Sequence, residues 1–431
     1  MTARGQLDAF GAATATAAYR ADPYPYLAQL RRREPVLRLA DGTVVLTRYD
    51  DVAGILSDRR AGTAPPHGGL DGYGAVSGIQ GIAGNDVPRP VSMLDPPMHG
   101  RVRGALGQAF GRDAPTVLRP TVAHLVSDML AKVAECSGQT VDAVTQLALP
   151  VPLAAICGSF GIPEEDHADV VRWSRALVRN GDPGSSVTDA QRDAAQHAER
   201  EFASYMGRLV VRRRRTPCDD IVSRLVRADV AGAPLDLGEL VANAVFLLVN
   251  GYHNTVNLIA NSLLALLRNP DQLAALRRAP ATEVPAAVDE LLRYDSPIQS
   301  IARVTHRPID LRGHSLPAGT GIMAMVGAAH RDPEAFAEPD RLMLSRRPAR
   351  RVLSFGGGHH YCLGAGLARS EAEYILVAVL RRFPELSLAG QPVWAPTFTL
   401  RGLESLPVSL GRPAGPRRGA PTSRRRTHAP G

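Results

Sequence analysis

The chain has 431 residues, 45% of them hydrophobic and 21% charged, which is typical of a soluble globular protein and excludes a disordered or fibrous one. The net charge of +8 is weak evidence for nucleic-acid binding, because residues 412–431 carry six arginines and no acid, which leaves +2 for the remainder. Residues 411–431 are rich in Pro, Gly and Arg without apolar periodicity, so this basic tail is predicted to be disordered.

The four cysteines, at positions 136, 157, 218 and 362, show no CxxC spacing, and no secretory signal precedes them. Reduced thiols in a cytoplasmic protein are therefore expected. The longest apolar stretch, residues 147–156, is short and contains two prolines, so no membrane span is predicted.

In chain order, a helix is predicted first, followed by two short strands that join at Asp41-Gly42, a strong hairpin signal. Residues 60–92 contain many glycines and prolines without periodicity, and a loop of this length is usually a lid or binding loop. Helical patterns dominate from Arg101 to about Arg277.

One helix is predicted to begin after Asp236, which forms a capping box with Glu239, and to end at Arg268 before Asn269-Pro270. About 32 residues at 1.5 Å each give roughly 48 Å, enough to cross a domain. A helix this long and apolar must be buried, yet the cluster Asn-Gly-Tyr-His-Asn-Thr interrupts it at 250–255.

Further helices are predicted around residues 286–294 and 364–383, and short strands near 301–305, 309–311 and 405–410. No internal repeat or clean domain boundary is visible. The sequence predicts a mainly α fold with a minor β region. Its expected parts are an N-terminal arm at 1–20, one large domain at 20–410 and the basic tail.

The strongest local signal is FGGGHHYCLGAGLAR, residues 355–369. Three consecutive glycines let the backbone turn tightly and approach a flat ligand. Cys362 lies just before a predicted helix N-terminus, where partial positive charge favours a thiolate that could bind a metal.

Three other interpretations compete for this segment. A phosphate-binding loop fails, because Tyr361 stands where the third glycine of GxGxxG belongs. Zinc binding by His359, His360 and Cys362 lacks a second ligand pair at the usual spacing. A nucleophilic cysteine with a histidine base remains open.

The pattern Phe-Gly-x-Gly-x-His-x-Cys-x-Gly at 355–364 resembles the haem-binding signature of the cytochrome P450 family. Residues 290–293 resemble its ExxR pair, residues 330–347 its meander, residues 95–103 a propionate-binding stretch, and residues 401–408 its C-terminal β segment. The resemblance covers about residues 20–410, is greatest to bacterial members without a membrane anchor, and implies a single-domain P450 fold shaped like a triangular prism.

The resemblance implies haem b as cofactor, with Cys362 as axial ligand of the iron. The implied cofactor contacts are Cys362, His99, Arg103, Arg303, His360, Phe355, Gly356 and Gly364. Glu290 and Arg293 would form a buried structural ion pair. The implied substrate contacts are Phe246, Val249, Asn250, Ile298, Gln299, Ile301, Thr399 and Leu400, with residues 60–92 as a lid.

The polar cluster of the long helix departs from the family's pattern Ala/Gly-Gly-x-Asp/Glu-Thr-Thr. Gly251 is kept and would let oxygen approach the backbone, but His253 replaces the acid and Asn254 the first alcohol. Asn250 and Asn254, four residues apart, should face the same side. An asparagine cannot give up a proton, whereas His253 could relay one and Thr255 could replace the alcohol.

This departure leads to the hypothesis of an atypical oxidase of natural products that couples aromatic rings of a peptide or cyclic dipeptide. Hydroxylation of a small secondary metabolite is the first alternative, and a haem protein without oxygen activation is the second. With O2 as co-substrate, electrons would come from a ferredoxin. Its expected docking patch contains Arg346, Arg347, Arg350 and Arg351.

Overall fold

The computed structural model describes residues 10–64, 88–111, 114–136, 138–180, 188–230, 232–347 and 350–413. Helices dominate, and their bounds are α1 Ala17–Ala21, α2 Tyr24–Arg33, α3 Tyr49–Ser57, α4 Met98–Phe110, α5 Ala114–Ala134, α6 Pro150–Ser159, α7 His167–Asn180, α8 Asp189–Arg215, α9 Ile221–Arg227, α10 Leu237–Arg268, α11 Pro270–Arg278, α12 Val284–Tyr294, α13 Val326–Ala329 and α14 Ala365–Arg382.

The strands are short and mostly lie near the chain ends. Their bounds are β1 Val36–Arg38, β2 Val44–Leu46, β3 Ala61–Gly62, β4 Thr140–Asp142, β5 Ile301–Thr305, β6 Ile309–Leu311, β7 His314–Leu316, β8 Gly321–Ala324, β9 Ser387–Leu388, β10 Val393–Trp394, β11 Leu403–Ser405 and β12 Pro407–Ser409. The largest sheet has the order β1-β2-β8-β5-β3, and only its β2–β8 pair is parallel. The predicted mainly α fold with minor sheet is confirmed.

The hairpin predicted at Asp41-Gly42 joins β1 and β2 in antiparallel pairing. Gly42 has a φ of 87°, a left-handed conformation that glycine adopts without strain. The strand predicted at 405–410 is instead two short strands, β11 and β12, with a break at Leu406. β12 pairs with β4 and β9 in a separate three-stranded sheet.

The helix α10 forms as predicted, with 32 residues and a capping box between Asp236 and Glu239. Twenty of its side chains are buried, and it packs against α6, α8 and α14 in the centre of the main hydrophobic cluster. Within the polar stretch 250–255, Tyr252 and Thr255 are buried, and Asn250, His253 and Asn254 are half-buried. A polar atom that is buried there needs a partner or a ligand.

Two predictions concern the chain ends. Within the predicted arm, Phe10 and Tyr19 are 5% and 8% exposed and pack in a cluster with Leu27 and Met323. Residues 1–9, most of the predicted tail and residues 65–87 of the predicted lid lie outside the described residues, so the division into arm, domain and tail stays a prediction. No helix in the described ranges is both long enough and apolar enough to cross a bilayer.

Candidate cofactor and active site

The cysteine loop, residues 355–364, places Cys362 directly before α14. The Cys362 N–H donates to the Phe355 carbonyl at 2.9 Å and closes the loop. Gly358 has a φ of 63°, and a Cβ there would lie 2.9 Å from the Leu56 carbonyl oxygen, so only glycine fits. The backbone conformation thus leaves the Cys362 side chain exposed on its ligand-facing side.

The groups around the Cys362 sulfur have opposite effects on the pKa of its thiol. Although the residue is exposed, desolvation of its sulfur by the surrounding protein raises the pKa of the thiol, whereas the Gly364 N–H and the charges of Arg103 and Arg369 lower it. The Arg369 guanidinium lies 4.3 Å from the Phe355 ring centroid, and Arg103 donates to the Tyr361 carbonyl at 2.7 Å. A bound metal cation would tip this balance to the thiolate, since a coordinating thiol loses its proton.

Beside this loop lies a donor cluster, a group of N–H-bearing side chains formed by His99, Arg103, Arg303, His359 and His360. The ring centroid of His99 is 4.5 Å from that of His360 and 5.0 Å from that of His359. His99 is 3% exposed, and its Nε2 has no hydrogen-bond partner among the described residues. An unpartnered buried nitrogen of this kind indicates a ligand.

The environment of the donor cluster disfavours protonation of its histidines. Burial, followed by the neighbouring His360, His359 and Arg103, lowers the pKa of His99 to about 4, so its imidazole is neutral at pH 7. In the described part of the chain, Asp95 is the only carboxylate that pairs with His359 and His360. A ligand that brings additional carboxylates would accept hydrogen bonds from the donor cluster and favour the charged form of its histidines.

Behind the cysteine loop, Glu290 and Arg293 form the predicted buried pair, 3% and 1% exposed, with the Arg293 Nε 2.7 Å from Oε2 of Glu290. The structure adds Arg346, whose Nε lies 3.0 Å from the same oxygen. Arg346 had been assigned to the electron-donor patch, and this interpretation is wrong because its side chain is 9% exposed and paired with Glu290.

Two other arginines of that expected patch also have partners. Arg350 pairs with Asp50, and Arg351 donates to the Ser57 hydroxyl at 3.1 Å. Arg347 is exposed. The patch is therefore smaller than the sequence suggested.

The middle of α10 presents its polar residues in a defined arrangement. The Asn250 amide donates to the Phe246 carbonyl at 2.9 Å, and the Thr255 hydroxyl donates to the Gly251 carbonyl at 3.3 Å. The Asn254 Oδ1 is buried without a partner among the described residues. Burial, with a smaller effect of Arg175, lowers the pKa of His253 to about 4, so its imidazole is neutral at pH 7.

Gly251 has a packing role that the sequence did not suggest. A Cβ at this position would lie 3.1 Å from two side-chain atoms of Ile156 on α6. Glycine therefore allows α10 and α6 to approach closely at the height of the polar cluster. Its predicted role in oxygen approach stays a prediction.

The two predicted substrate-binding segments after α12 and before β11 lie side by side. Ile298 and Leu400 form an antiparallel bridge, and the Gln299 N–H donates to the Thr399 carbonyl at 2.9 Å. Gln299 is only 3% exposed, and its amide N–H donates to the Ser296 carbonyl, whereas its Oε1 has no partner among the described residues. Its contact with substrate stays a prediction.

The other predicted substrate-binding residues differ in exposure. Ile301 approaches Gly356 of the cysteine loop, with its Cδ1 3.8 Å from where a Cβ of Gly356 would lie. Phe246 is half-buried and Val249 is 4% exposed.

Comparison with known proteins decides what this arrangement is. The family profile named Cytochrome P450 matches residues 89–400, well over half of the chain. The chain belongs to the cytochrome P450 family. It is 36% identical over 412 residues to the cytochrome P450 monooxygenase PikC of Streptomyces venezuelae, covering 93% of this chain and 94% of that protein.

Solved structures agree with this assignment. The bacillaene polyketide synthase cytochrome P450 PksS of Bacillus subtilis 168 superposes with a TM-score of 0.81 at 32% identity, covering 92% of this chain and 99% of that one. CxnD, a P450 described for C–S bond formation in chuangxinmycin biosynthesis, gives 0.80 at 29% identity, covering 91% and 95%. The chain is therefore a P450 enzyme of the monooxygenase class, and its cofactor is haem.

The residues present fit haem. Cys362 is an exposed free cysteine, and the buried Nε2 atoms of His99 and His359 have no hydrogen-bond partner among the described residues, which suits them to bind the propionate carboxylates of haem. Cys362 would hold the iron, and His99, Arg103, Arg303 and His360 would hold the propionates, with Phe355, Gly356 and Gly364 shaping the loop. These individual contacts remain proposals.

Sequence reasoning missed three residues of the site. His359 was considered only as a zinc ligand, although it lies beside His99 in the donor cluster. Asp95 precedes the stretch that supplies His99, and its proximity to His359 and His360 carried no sequence signal. Arg346 lies 56 positions after Glu290 in the chain, and no local pattern predicts that contact.

Proposed function

We propose that this P450 tailors a natural product and that the reaction is a hydroxylation. The similarity to PikC and to the polyketide-associated PksS supports this substrate class. When bound, the haem supplies oxygen activation, with the Cys362 thiolate promoting O–O cleavage. The protein's own contribution is to hold the cofactor carboxylates, bind the substrate beside α10 and control proton delivery.

The observation that carries the proposal further is the absence of an acid–alcohol pair from α10. The Asn254 amide has no ionisable proton. His253 is neutral at pH 7 and therefore cannot act as an imidazolium acid. The Thr255 residue is 2% exposed, and its hydroxyl donates to the Gly251 carbonyl. A positioned general acid contributes about 10²- to 10⁴-fold, so another donor is needed. We infer that water or a hydroxyl or amide of the substrate fills this role.

The buried Asn254 Oδ1 also supports a substrate that carries its own hydroxyl or amide N–H. An acceptor without a partner favours a ligand that donates an N–H or O–H there. Asn250 lies one turn away and has its own amide bonded to Phe246, which leaves its oxygen as a second acceptor. These acceptors favour a substrate with N–H or O–H groups, such as a peptide-derived product.

Oxidative coupling is the second candidate, and the same loss of proton donors favours it. In coupling, two hydrogen atoms leave the substrate and a new bond joins the two radical centres. O2 takes up these two hydrogen atoms together with two electrons from the redox partner and two protons, and forms two water molecules. No oxygen is transferred. The fold similarity to CxnD, described for C–S bond formation, is consistent with bond formation by this scaffold.

The experiment that separates these outcomes starts with substrate discovery. Candidate natural products would be screened for a substrate-induced spin-state shift, and hits would be turned over under ¹⁸O₂. One ¹⁸O atom in the product supports hydroxylation. A product two mass units lighter than the substrate, without label, supports coupling. Turnover that needs neither reductant nor peroxide would contradict both and favour a haem protein without oxygen activation.

Electrons would come from a ferredoxin docking near the cysteine loop. Arg347 and Arg351 are the exposed members of the predicted patch. Charge reversal at both, Arg347→Glu with Arg351→Glu, should slow reduction by an acidic ferredoxin more at low salt than at high salt. Reduction by dithionite serves as the control and should not change.

A further inference from the structure

Asp95 joins the two ends of the glycine-rich loop. Its carboxylate accepts hydrogen bonds from the backbone N–H groups of Thr63 and Ala64, at 2.9 and 2.7 Å to Oδ2. The Thr63 hydroxyl also donates to the Leu94 carbonyl at 3.4 Å. Thr63, Ala64, Leu94 and Asp95 thus form a loop base that fixes the chain before and after the intervening residues.

The same carboxylate faces three histidines. The Nε2 of His360 and of His359 lie 3.5 and 3.7 Å from Oδ1 of Asp95, and that of His306 lies 3.5 Å from Oδ2. His306 reaches the loop base as well, with Nε2 2.8 Å from the Ala64 carbonyl oxygen. The His360 Nε2 is also 3.3 Å from the Thr63 hydroxyl. The Thr63 hydroxyl and the Asp95 carboxylate therefore lie beside the same imidazole nitrogen.

Asp95 carries its negative charge throughout the ordinary pH range. Burial acts to raise the pKa of this carboxyl, but the hydrogen bonds from His360, Ala64 and Thr63, with the charge of His306, lower it well below its usual value. A fixed carboxylate beside a histidine ring restrains the ring's orientation, as outer-shell carboxylates do for metal-binding histidines.

We propose that Asp95 is a positioning residue, which orients His360 toward the haem propionates and links that orientation to the loop base. This inference rests on the proposed cofactor role of His360. It assigns the Asp-Pro-Pro segment a function beyond supplying His99, and it connects the loop base to the cofactor through one side chain.

The test measures cofactor retention in the holoprotein, independently of turnover. Asp95→Asn should speed haem transfer to excess apomyoglobin about tenfold, in the range usual for outer-shell changes, and should shift the propionate-bending band in the resonance Raman spectrum. Asp51→Asn is the matched control, because Asp51 is 5% exposed but pairs with Arg312 on another surface. It should leave both measurements unchanged.

A double-mutant cycle with His360→Gln identifies the route of the effect. If Asp95 acts through His360, Asp95→Asn should add little in the His360→Gln background. An equal effect of Asp95→Asn in both backgrounds would show that it does not act through His360, which overturns the proposal. If His360→Gln alone changes neither measurement, the cofactor role of His360 fails instead, together with this inference.

A milder variant keeps the proposal testable if Asp95→Asn folds poorly. Thr63→Val removes the hydroxyl beside His360 but keeps the backbone N–H bonded to Asp95. It should shift the same propionate band and speed haem transfer by a smaller factor. An unchanged band in a well-folded Thr63→Val protein would contradict the positioning of His360 by the loop base.

Discussion

The cysteine loop and the middle of α10 differ in how far they keep the family pattern. At the cysteine loop, the motif residues are joined by hydrogen bonds, and the neighbouring buried Nε2 atoms of His99 and His359 have no partner among the described residues. In α10, the helix forms, but amides and an imidazole with a lowered pKa replace the expected proton donors. The difference shows that the residues expected to bind the cofactor are kept, whereas those expected to deliver protons have changed.

The largest expected effect concerns the cysteine side. Cys362→Ala should abolish the thiolate-type Soret band in the reduced CO-difference spectrum, because no other described sulfur lies in this loop. Cys218→Ala, which changes an exposed free cysteine, is the control and should retain the band. A thiolate-type spectrum in Cys362→Ala protein would refute the ligand assignment.

The second-largest effect is expected for the buried ion pairs of Glu290 behind the cysteine loop. Glu290→Gln leaves Arg293 and Arg346 without their carboxylate and should lower the free energy of unfolding by about 3–5 kcal/mol, as for other broken buried pairs. Urea unfolding followed by fluorescence measures it. Glu338→Gln removes an exposed pair with Arg341 and should cost less than about 1 kcal/mol. Equal costs would show that burial does not distinguish them.

The neutral histidine of α10 predicts a pH dependence of stability. The folded-state pKa of His253, about 4, lies below its ordinary value of 6.5, so unfolding takes up a proton between these values. Stability from this group is fully present above pH 6.5 and is lost as the pH falls toward 4.

The measurement is the free energy of unfolding from pH 7.5 to 4.5. His253→Gln should flatten its slope by up to about 1.4 kcal/mol per pH unit, which corresponds to one proton. Substitution of an exposed histidine, His124→Gln, is the control and should not change the slope. An unchanged slope in His253→Gln would mean that His253 is solvated and free to become charged.

The smallest effect is expected at Asn254. Because its amide cannot supply a proton, Asn254→Ala should lower product formation by less than tenfold, compared with about 10²- to 10⁴-fold for loss of a general acid. Product formed per NADH consumed is the measurement, and Asn257→Ala, a buried residue one turn further along α10, controls for packing. A loss of a hundredfold or more would show that Asn254 organises proton delivery after all.

Much of the architecture could be predicted from local patterns. The bounds of α10 followed from Asp236, Glu239 and the Asn269-Pro270 step, since caps and proline act within one helical turn. The hairpin followed from Gly42, whose positive φ is a local requirement. The cysteine loop was recognisable because its glycines and Cys362 occupy consecutive positions.

Contacts between distant segments could not be predicted in this way. Arg346 resembled a surface arginine until the fold placed it against Glu290, and the burial of Gln299 against Gly327 and Ser296 carried no local signal. Asp95 gained its neighbours only when Thr63, Ala64 and the cysteine loop came together in space.

The sequence by itself therefore determined the family, the cofactor and the altered residues of the long helix, and it predicted Cys362 as the axial ligand. Those features depend on residue identity at short spacing. The tertiary structure alone decided which charges are paired, which histidines have a lowered pKa and which of them lie beside Asp95. Burial and long-range proximity set those properties, and neither is encoded in any single stretch of the chain.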